Sequence, residues 1–404
     1  MKKILYIHQY FRTPKEPGGT RSYWFSKALI ESGYEVTILT SRSSGLQNKL
    51  IKKERIDGIN VIYIKNRYNN EMGVLSRALS FLKFMLASSL VAMREKGIDI
   101  IFATSTPLTV GFPALLVKWL KGKPFIFEVR DLWPEVPIQM GAINNRVLKK
   151  FAYWFEKLIY KNSVHIVSLS PGMLEGVLRR GILLDKVSMV PNMAKIDKFY
   201  KREKNIGIAD KFGIDLSNFN AIHFGAMGQA NGLDYIIEAA TILLEQKQEG
   251  IGIVFIGEGM RKKELMDKCS NESIMNVIFL DEQPMDILSE IVNICDCSLV
   301  TFSDIPILRT NSPNKLFDSL SAEKPVIVNS AGWTKDMVEQ NNCGCYVDIN
   351  NPNHLADTLT TWRDNSAKVT EMAKNARLLA ENQFDKSILA TRFIEIVNQV
   401  VKQN

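Results

Sequence analysis

Residues 312–328 read SPNKLFDSLSAEKPVIV. The spacing predicts a helix over 313–322 that stops at Lys324-Pro325, followed at once by an apolar, β-branched strand over 325–329. A helix delivered straight into a buried strand is half of a parallel βαβ unit. The Ser-Pro-Asn lead-in is expected to cap the helix and to leave its N-terminal amides and positive dipole end facing whatever lies above. Lys315 adds a charge one turn in, and Asp318 offers a carboxylate one turn further. Alone, the stretch reads equally as an ordinary capped helix with solvated charges or as a seat for an anion.

The same alternation extends outward through nearly the whole chain. In the first half, apolar runs at 3–8, 35–40, 60–64, 98–103, 124–129, 164–169 and 187–190 read as buried strands. Helical patterns fall at 19–32, 73–96, 107–121, 145–162 and 171–180. The second half repeats the scheme, with strands at 220–225, 251–257, 276–280, 297–302, 325–329 and 345–347. Its helices fall at 232–248, 260–270, 284–293, 313–322, 352–363 and 366–382. The fold class is therefore α/β, with two doubly wound, Rossmann-like domains. At 404 residues the chain suits two domains. The expected boundaries are 1–192, a lysine-rich linker over 193–215, 216–385, and a last helix at 386–404 returning to the first domain. Two such domains are expected to face each other with the carboxyl ends of their strands around a shared cleft.

Charge divides the chain. Residues 1–194 hold 29 Lys and Arg against 14 Asp and Glu, and residues 195–404 hold 22 against 29. A basic first half points to a polyanionic partner on one side. Its aromatics lie within apolar runs and no nucleic-acid motif is present, so nucleic acid is excluded as a partner and an anionic membrane surface is expected. Residues 72–96, MGVLSRALSFLKFMLASSLVAMREK, support that choice. Arg77 and Lys83 argue against a spanning helix, leaving a core helix or one lying in the membrane interface. Met1-Lys2-Lys3 runs straight into a strand with no secretory pattern, so a cytoplasmic location at the inner membrane face is expected. The five cysteines read as buried thiols in a reducing compartment, since neither C-x-C pair has zinc spacing. No metal motif stands out at a strand end, and neither metal nor cofactor is expected.

The order and spacing of several motifs resemble family 4-type glycosyltransferases of the GT-B fold, and more closely the O-antigen and capsule L-fucosamine (N-acetyl-fucosamine) transferases. The likeness rests on YIHQYF (6–11) with Pro17-Gly18-Gly19-Thr20-Arg21, EVRDLWPE (128–135), and SLSPGM (168–173) with Val190-Pro191-Asn192. It continues through HFGAMGQANGLD (223–234), IGEG (256–259) and the 312–325 stretch.

This resemblance implies a UDP-sugar donor. Gly18 and Gly19 would let backbone approach its diphosphate, as would the loop holding Gly225, Gly228, Gln229 and Asn231. Glu258 would flank the uracil or ribose, Asp318 would hold ribose hydroxyls, Lys315 would face the diphosphate, and Asn314 would bind the donor beside it. Arg130, Asp131 and His8 would serve the reacting sugar or acceptor. For Arg130 and Asp131 a structural ion-pair cluster with Glu128 stays open, and for His8 a satisfied core histidine. Relatives carry Arg and Lys where this chain has Ala226 and Asn231, and Glu where it has Thr310. Lys315 and Arg309 are the nearest basic residues to supply that charge. The Thr310 exchange suits a 6-deoxy, N-acetylated sugar. Transfer would retain configuration, onto a polyprenyl-diphosphate-linked saccharide. A nucleotide-sugar 2-epimerase, a transferase to soluble acceptors and a non-catalytic nucleotide-sugar-binding subunit remain as alternatives.

Overall fold

The computed structural model describes residues 1–46, 49–68 and 72–403. The chain divides into two compact units. One comprises Met1–Thr13, Gly19–Pro191 and Ser387–Asn404, the other Pro14–Gly18 and Asn192–Lys386.

The first unit is built on β1 (Lys3–Ile7), β2 (Glu35–Arg42), β3 (Ile51–Ile56), β4 (Ile59–Lys65), β5 (Ile100–Thr104), β6 (Phe125–Val129), β7 (His165–Ser168) and β8 (Val187–Met189). They form one sheet in the order β3-β4-β2-β1-β5-β6-β7-β8. All pairings are parallel except β3 with β4. The connections β4→β5, β5→β6 and β6→β7 step the same way across the sheet. Right-handed crossover therefore puts helices Val74–Arg94, Gly111–Lys121 and Arg146–Asn162 on one face. The β1→β2 connection steps the other way, so helix Arg21–Glu31 covers the opposite face. Helix Lys386–Gln403 joins it there, with the Phe393 ring 4.2 Å from Phe25 and 4.9 Å from Phe102.

The second unit has β9 (Phe219–Phe224), β10 (Ile251–Ile256), β11 (Val277–Leu280), β12 (Cys297–Val300), β13 (Val326–Val328) and β14 (Gly344–Tyr346). Its sheet runs β11-β10-β9-β12-β13-β14, parallel throughout. Strand order reverses at β9, between β10 and β12, which is where such sheets open a crevice at their carboxyl ends.

Every apolar run predicted as a strand contains one. Strand β3 was not predicted because IKKERI carries charges at consecutive positions and half of it faces solvent. The stretch 193–215, read as a linker, is part of the second unit. Phe199, Ala209 and Ile214 are buried in its core beside Ile222 and Val254. Within it, helix Ile206–Phe212 is capped by the Asn205 side chain and closed by Gly213 at φ +68°. The lysines hid a short apolar period. The cysteines are free thiols: Cys269, Cys295, Cys297 and Cys343 are buried and Cys345 is half-buried.

Candidate functional site

In the second unit the site grows from β9. After Phe224 the chain turns through Gly225 at φ +120°, and a parallel turn leaves β10 through Gly257 at φ +144°. A Cβ on Gly257 would stand 1.9 Å from the Gly225 carbonyl oxygen, and one on Gly259 would stand 2.4 Å from that of Met227. Only glycine lets the two turns pack this closely. The Met227 amide donates to the Glu258 carbonyl (2.8 Å), locking the pair. Beyond them, the loop docks on the end of β12, where Thr301 Oγ1 donates to the Asn231 carbonyl (2.7 Å).

Helix Asn314–Ser321 brings Lys315 beneath this loop. The ammonium is buried and lies 3.0 Å from His223 Nε2 and 3.4 Å from Asn231 Oδ1, and its Cε sits 3.6 Å from where a Gly225 Cβ would be. Burial lowers the Lys315 pKa to about 7. The His223 pKa is held well below its ordinary value, by burial first and by the Lys315 charge second. Nε2 is therefore an acceptor toward the ammonium. Among the described residues no carboxylate forms an ion pair with Lys315. The arrangement is a buried cation short of an anion.

The helix cap differs from expectation. Pro313 stands at the N-cap and no side chain caps the helix. The Ser312 hydroxyl instead accepts from the Asn192 amide (3.5 Å). The first amides, from Asn314 onward, remain without a side-chain partner at the end nearest Lys315.

Three other predicted donor residues have different company. Asp318 is buried in an ion pair with Lys195 (2.5 Å). A carboxylate so enclosed needs a counter-charge, which Lys195 gives. Arg309 is half exposed and bonds Asp304 (3.3 Å). It stands in a 3-10 turn over Pro306–Thr310, ahead of the helix that carries Lys315. Glu258 pairs with Lys262 (2.6 Å). Gln229 is exposed in the loop, Gly228 precedes it, and the Thr310 hydroxyl donates to the Ile307 carbonyl (2.7 Å).

In the first unit, His8 follows β1, Thr106 follows β5, and Arg130 and Asp131 follow β6, all at the sheet's carboxyl end near its own reversal at β1. His8 is buried, with Nε2 3.2 Å from Arg130 Nη1 and Nδ1 2.8 Å from Ser22 Oγ. A guanidinium only donates, so Nε2 accepts and the proton sits on Nδ1, directed at Ser22. Burial, then Arg130 and Arg12, keep this ring neutral. Both ring nitrogens are thus engaged. Asp131 bonds the Thr106 hydroxyl, and burial raises its pKa to about 6 against the opposing pull of Arg130. Glu128, one residue before Val129 at the end of β6, has its own partner. It bonds Arg21, whose guanidinium also donates to the Val190 (2.7 Å) and Pro191 carbonyls. Gly19 and Thr20 lead into helix Arg21–Glu31, and Gly18 before them, counted with the second unit, has φ +119°.

Sequence reading passed over His223, Ser22, Thr106 and Lys195. Of these only His223 left a signal, as the single polar side chain in the last turn of an apolar strand entering a glycine loop. Among the described residues no group of three or more His, Cys, Asp or Glu side chains is placed to hold a metal ion.

Residues 18–193 match the family model described as "Glycosyl transferase 4-like domain", and residues 207–379 match "Glycosyl transferases group 1". The chain belongs with the group 1 glycosyltransferases of the GT-B fold. The glycosyl transferase WcaI of Escherichia coli K12, named for colanic acid biosynthesis, is 22% identical over 325 residues, covering 76% of this chain and 78% of its own. Sucrose-phosphate synthase from Thermosynechococcus elongatus shares the fold with a TM-score of 0.79, at 14% identity and full coverage of both chains. HepE of Anabaena, solved with UDP and glucose, has a TM-score of 0.73 at 16% identity, covering 98% of this chain and all of its own.

Proposed function

We propose that this glycosyltransferase moves a sugar from a UDP-sugar to a lipid-linked saccharide during bacterial surface-polysaccharide synthesis, with retention of configuration. The observation that carries the donor half is Lys315, a buried ammonium with no carboxylate against it, set under a glycine loop at an uncapped helix N-terminus. A diphosphate supplies the missing negative charge and accepts from the helix amides. As the sugar departs, charge grows on the leaving phosphate, and Lys315 is placed to stabilise it. The reading includes no metal ion.

HepE, crystallised with UDP and glucose, supports a UDP donor. WcaI, named for colanic acid biosynthesis, supports a polysaccharide product. We propose a 6-deoxy, N-acetylated donor sugar such as N-acetyl-fucosamine, because Thr310 stands where the family resemblance implies a glutamate. For the acceptor, Asp131 beside Thr106 is a carboxylate that titrates close to neutrality, suited to holding an attacking hydroxyl. We place the enzyme at the cytoplasmic face of the membrane, where a polyprenyl-diphosphate-linked acceptor would lie.

The test is UDP release from a panel of UDP-sugars, with and without a polyprenyl-diphosphate-linked acceptor. One donor turned over only with acceptor present is the expected result. UDP binding without turnover of any donor would favour a non-catalytic subunit, and no UDP binding would sink the reading.

A further inference from the structure

Helices Val74–Arg94, Gly111–Lys121 and Arg146–Asn162 form adjacent parts of one layer on the first sheet, the second packing against both others. Their inner sides are spent on the protein. In the first helix Phe84, Val91 and Ala92 are buried toward the sheet. The outer sides are apolar as well. Leu75, Leu79, Leu82, Leu86 and Leu90 repeat every three or four residues along a single face, and Leu75 is 81% exposed. On the third helix Val147, Phe151 and Trp154 are exposed, with the Phe151 ring 5.6 Å from Trp154 and stacked on Phe155. Trp119 and Leu120 are exposed at the end of the helix between them.

Charge says what covers this surface. The three helices carry ten Lys and Arg, three in the first, two in the second and five in the third. Their one acidic residue, Glu156, is buried and paired with Arg180 (2.7 Å). A second copy set against the same face would oppose two cationic surfaces. Nucleic acid would satisfy the charge and leave the leucine row in water. A bilayer with anionic headgroups takes both, with leucine and aromatic side chains below the headgroups and lysines among them. Helix Val74–Arg94 is long and apolar enough to cross a membrane by length and composition. Its inner side, however, packs on β2, β4 and the neighbouring helix, which fixes it in the plane.

We propose that this three-helix face docks on an anionic bilayer, the helices lying in the interface with the leucine row and the Phe151–Trp154 pair inserted. The proposal deepens the lipid-linked acceptor reading, and its test does not depend on transfer. The full chain is floated with phosphatidylglycerol–phosphatidylethanolamine vesicles and with phosphatidylcholine vesicles. Wild type is expected on the anionic vesicles and about tenfold less on the neutral ones. Three paired variants, Leu79→Asn with Leu86→Asn, Phe151→Ser with Trp154→Ser, and Lys149→Glu with Lys150→Glu, are each expected to lose about tenfold or more in vesicle affinity. UDP binding by calorimetry should stay unchanged in all three, and a wild-type thermal melt shows that the first unit still folds. The proposal is overturned if wild type binds UDP yet floats with neither vesicle, or if the variants float like wild type. Dimers dispersed by the same variants, or an oligonucleotide bound in place of vesicles, would overturn it too. Vesicle binding without UDP binding would support the face and count against the transferase reading alone.

Discussion

Lys315 Nζ lies 3.0 Å from His223 Nε2, and both side chains are buried at the carboxyl end of β9. Neither can neutralise the other. The histidine accepts while the lysine stays short of an anion, and burial has brought the lysine pKa down to about 7 from 10.5. A bound diphosphate restores the preference for the charged form. Above pH 7, UDP binding should therefore take up close to one proton, and UDP affinity should fall as pH rises. Calorimetry at pH 8 in buffers of differing ionisation enthalpy measures this. Lys315→Ala should raise the UDP Kd about 10- to 100-fold, as expected for losing a charge-assisted hydrogen bond, and should abolish the proton uptake. Unchanged affinity in that variant would end the assignment. Without ligand the sign is also set. Between pH 7 and about 10 the unfolded chain binds more protons at this site, so stability contributed here rises with pH across that window.

Gly257 controls the same site from the neighbouring turn. Alanine there would place a Cβ 1.9 Å from a backbone oxygen, at a φ of +144° that L side chains avoid. Backbone cannot yield as a flexible side chain can, so the Gly225 loop must move. Gly257→Ala is expected to weaken UDP binding about tenfold or more and to lower the melting temperature of the second unit. Gly207→Ala serves as control, since its Cβ would meet only the Asn205 Oδ1 atom at 3.5 Å.

Most of the fold was legible because parallel strands buried on both faces show as apolar runs, and every such run is a strand. What escaped was polar or short. Strand β3 pairs only with β4 at the sheet edge, and helix Ile206–Phe212 sits among lysines. The site was legible where backbone chemistry decides it, as at Gly225, Gly257 and the start of helix Asn314–Ser321. It was not legible where a side chain's partner comes from far along the chain. Asp318 meets Lys195 and Glu128 meets Arg21, and no local pattern announces either pair. Lys315 likewise meets His223, which stands 92 residues earlier at the end of β9.

The Arg21–Glu128 pair is wholly buried and ties β6 to the chain before Asn192 through the Val190 and Pro191 carbonyls. Removing one partner leaves an uncompensated charge in the core. Glu128→Ala should cost about 3–5 kcal/mol in chemical denaturation of the first unit. The double variant Arg21→Met with Glu128→Leu removes both charges and should recover part of that loss, although two carbonyls then lose their donor. A single-variant cost under about 1 kcal/mol would show that the pair is solvated in solution.

Asp131 offers the sharpest test of the acceptor side. Burial raises its pKa to about 6, while Arg130 pulls it down. If the carboxylate form holds the attacking hydroxyl, kcat/KM falls as pH drops through 6. Asp131→Asn should lose about 10²- to 10⁴-fold, as for removal of a positioned base, and its residual rate should lack the acid limb. Arg130→Gln removes the opposing positive charge, so its acid limb should move above pH 6. The buried His8 ring, kept neutral mainly by desolvation, should not replace that limb. A limb unmoved in Arg130→Gln would assign the titration to another group. An Asp131→Asn enzyme with wild-type rate and profile would remove Asp131 from the reaction.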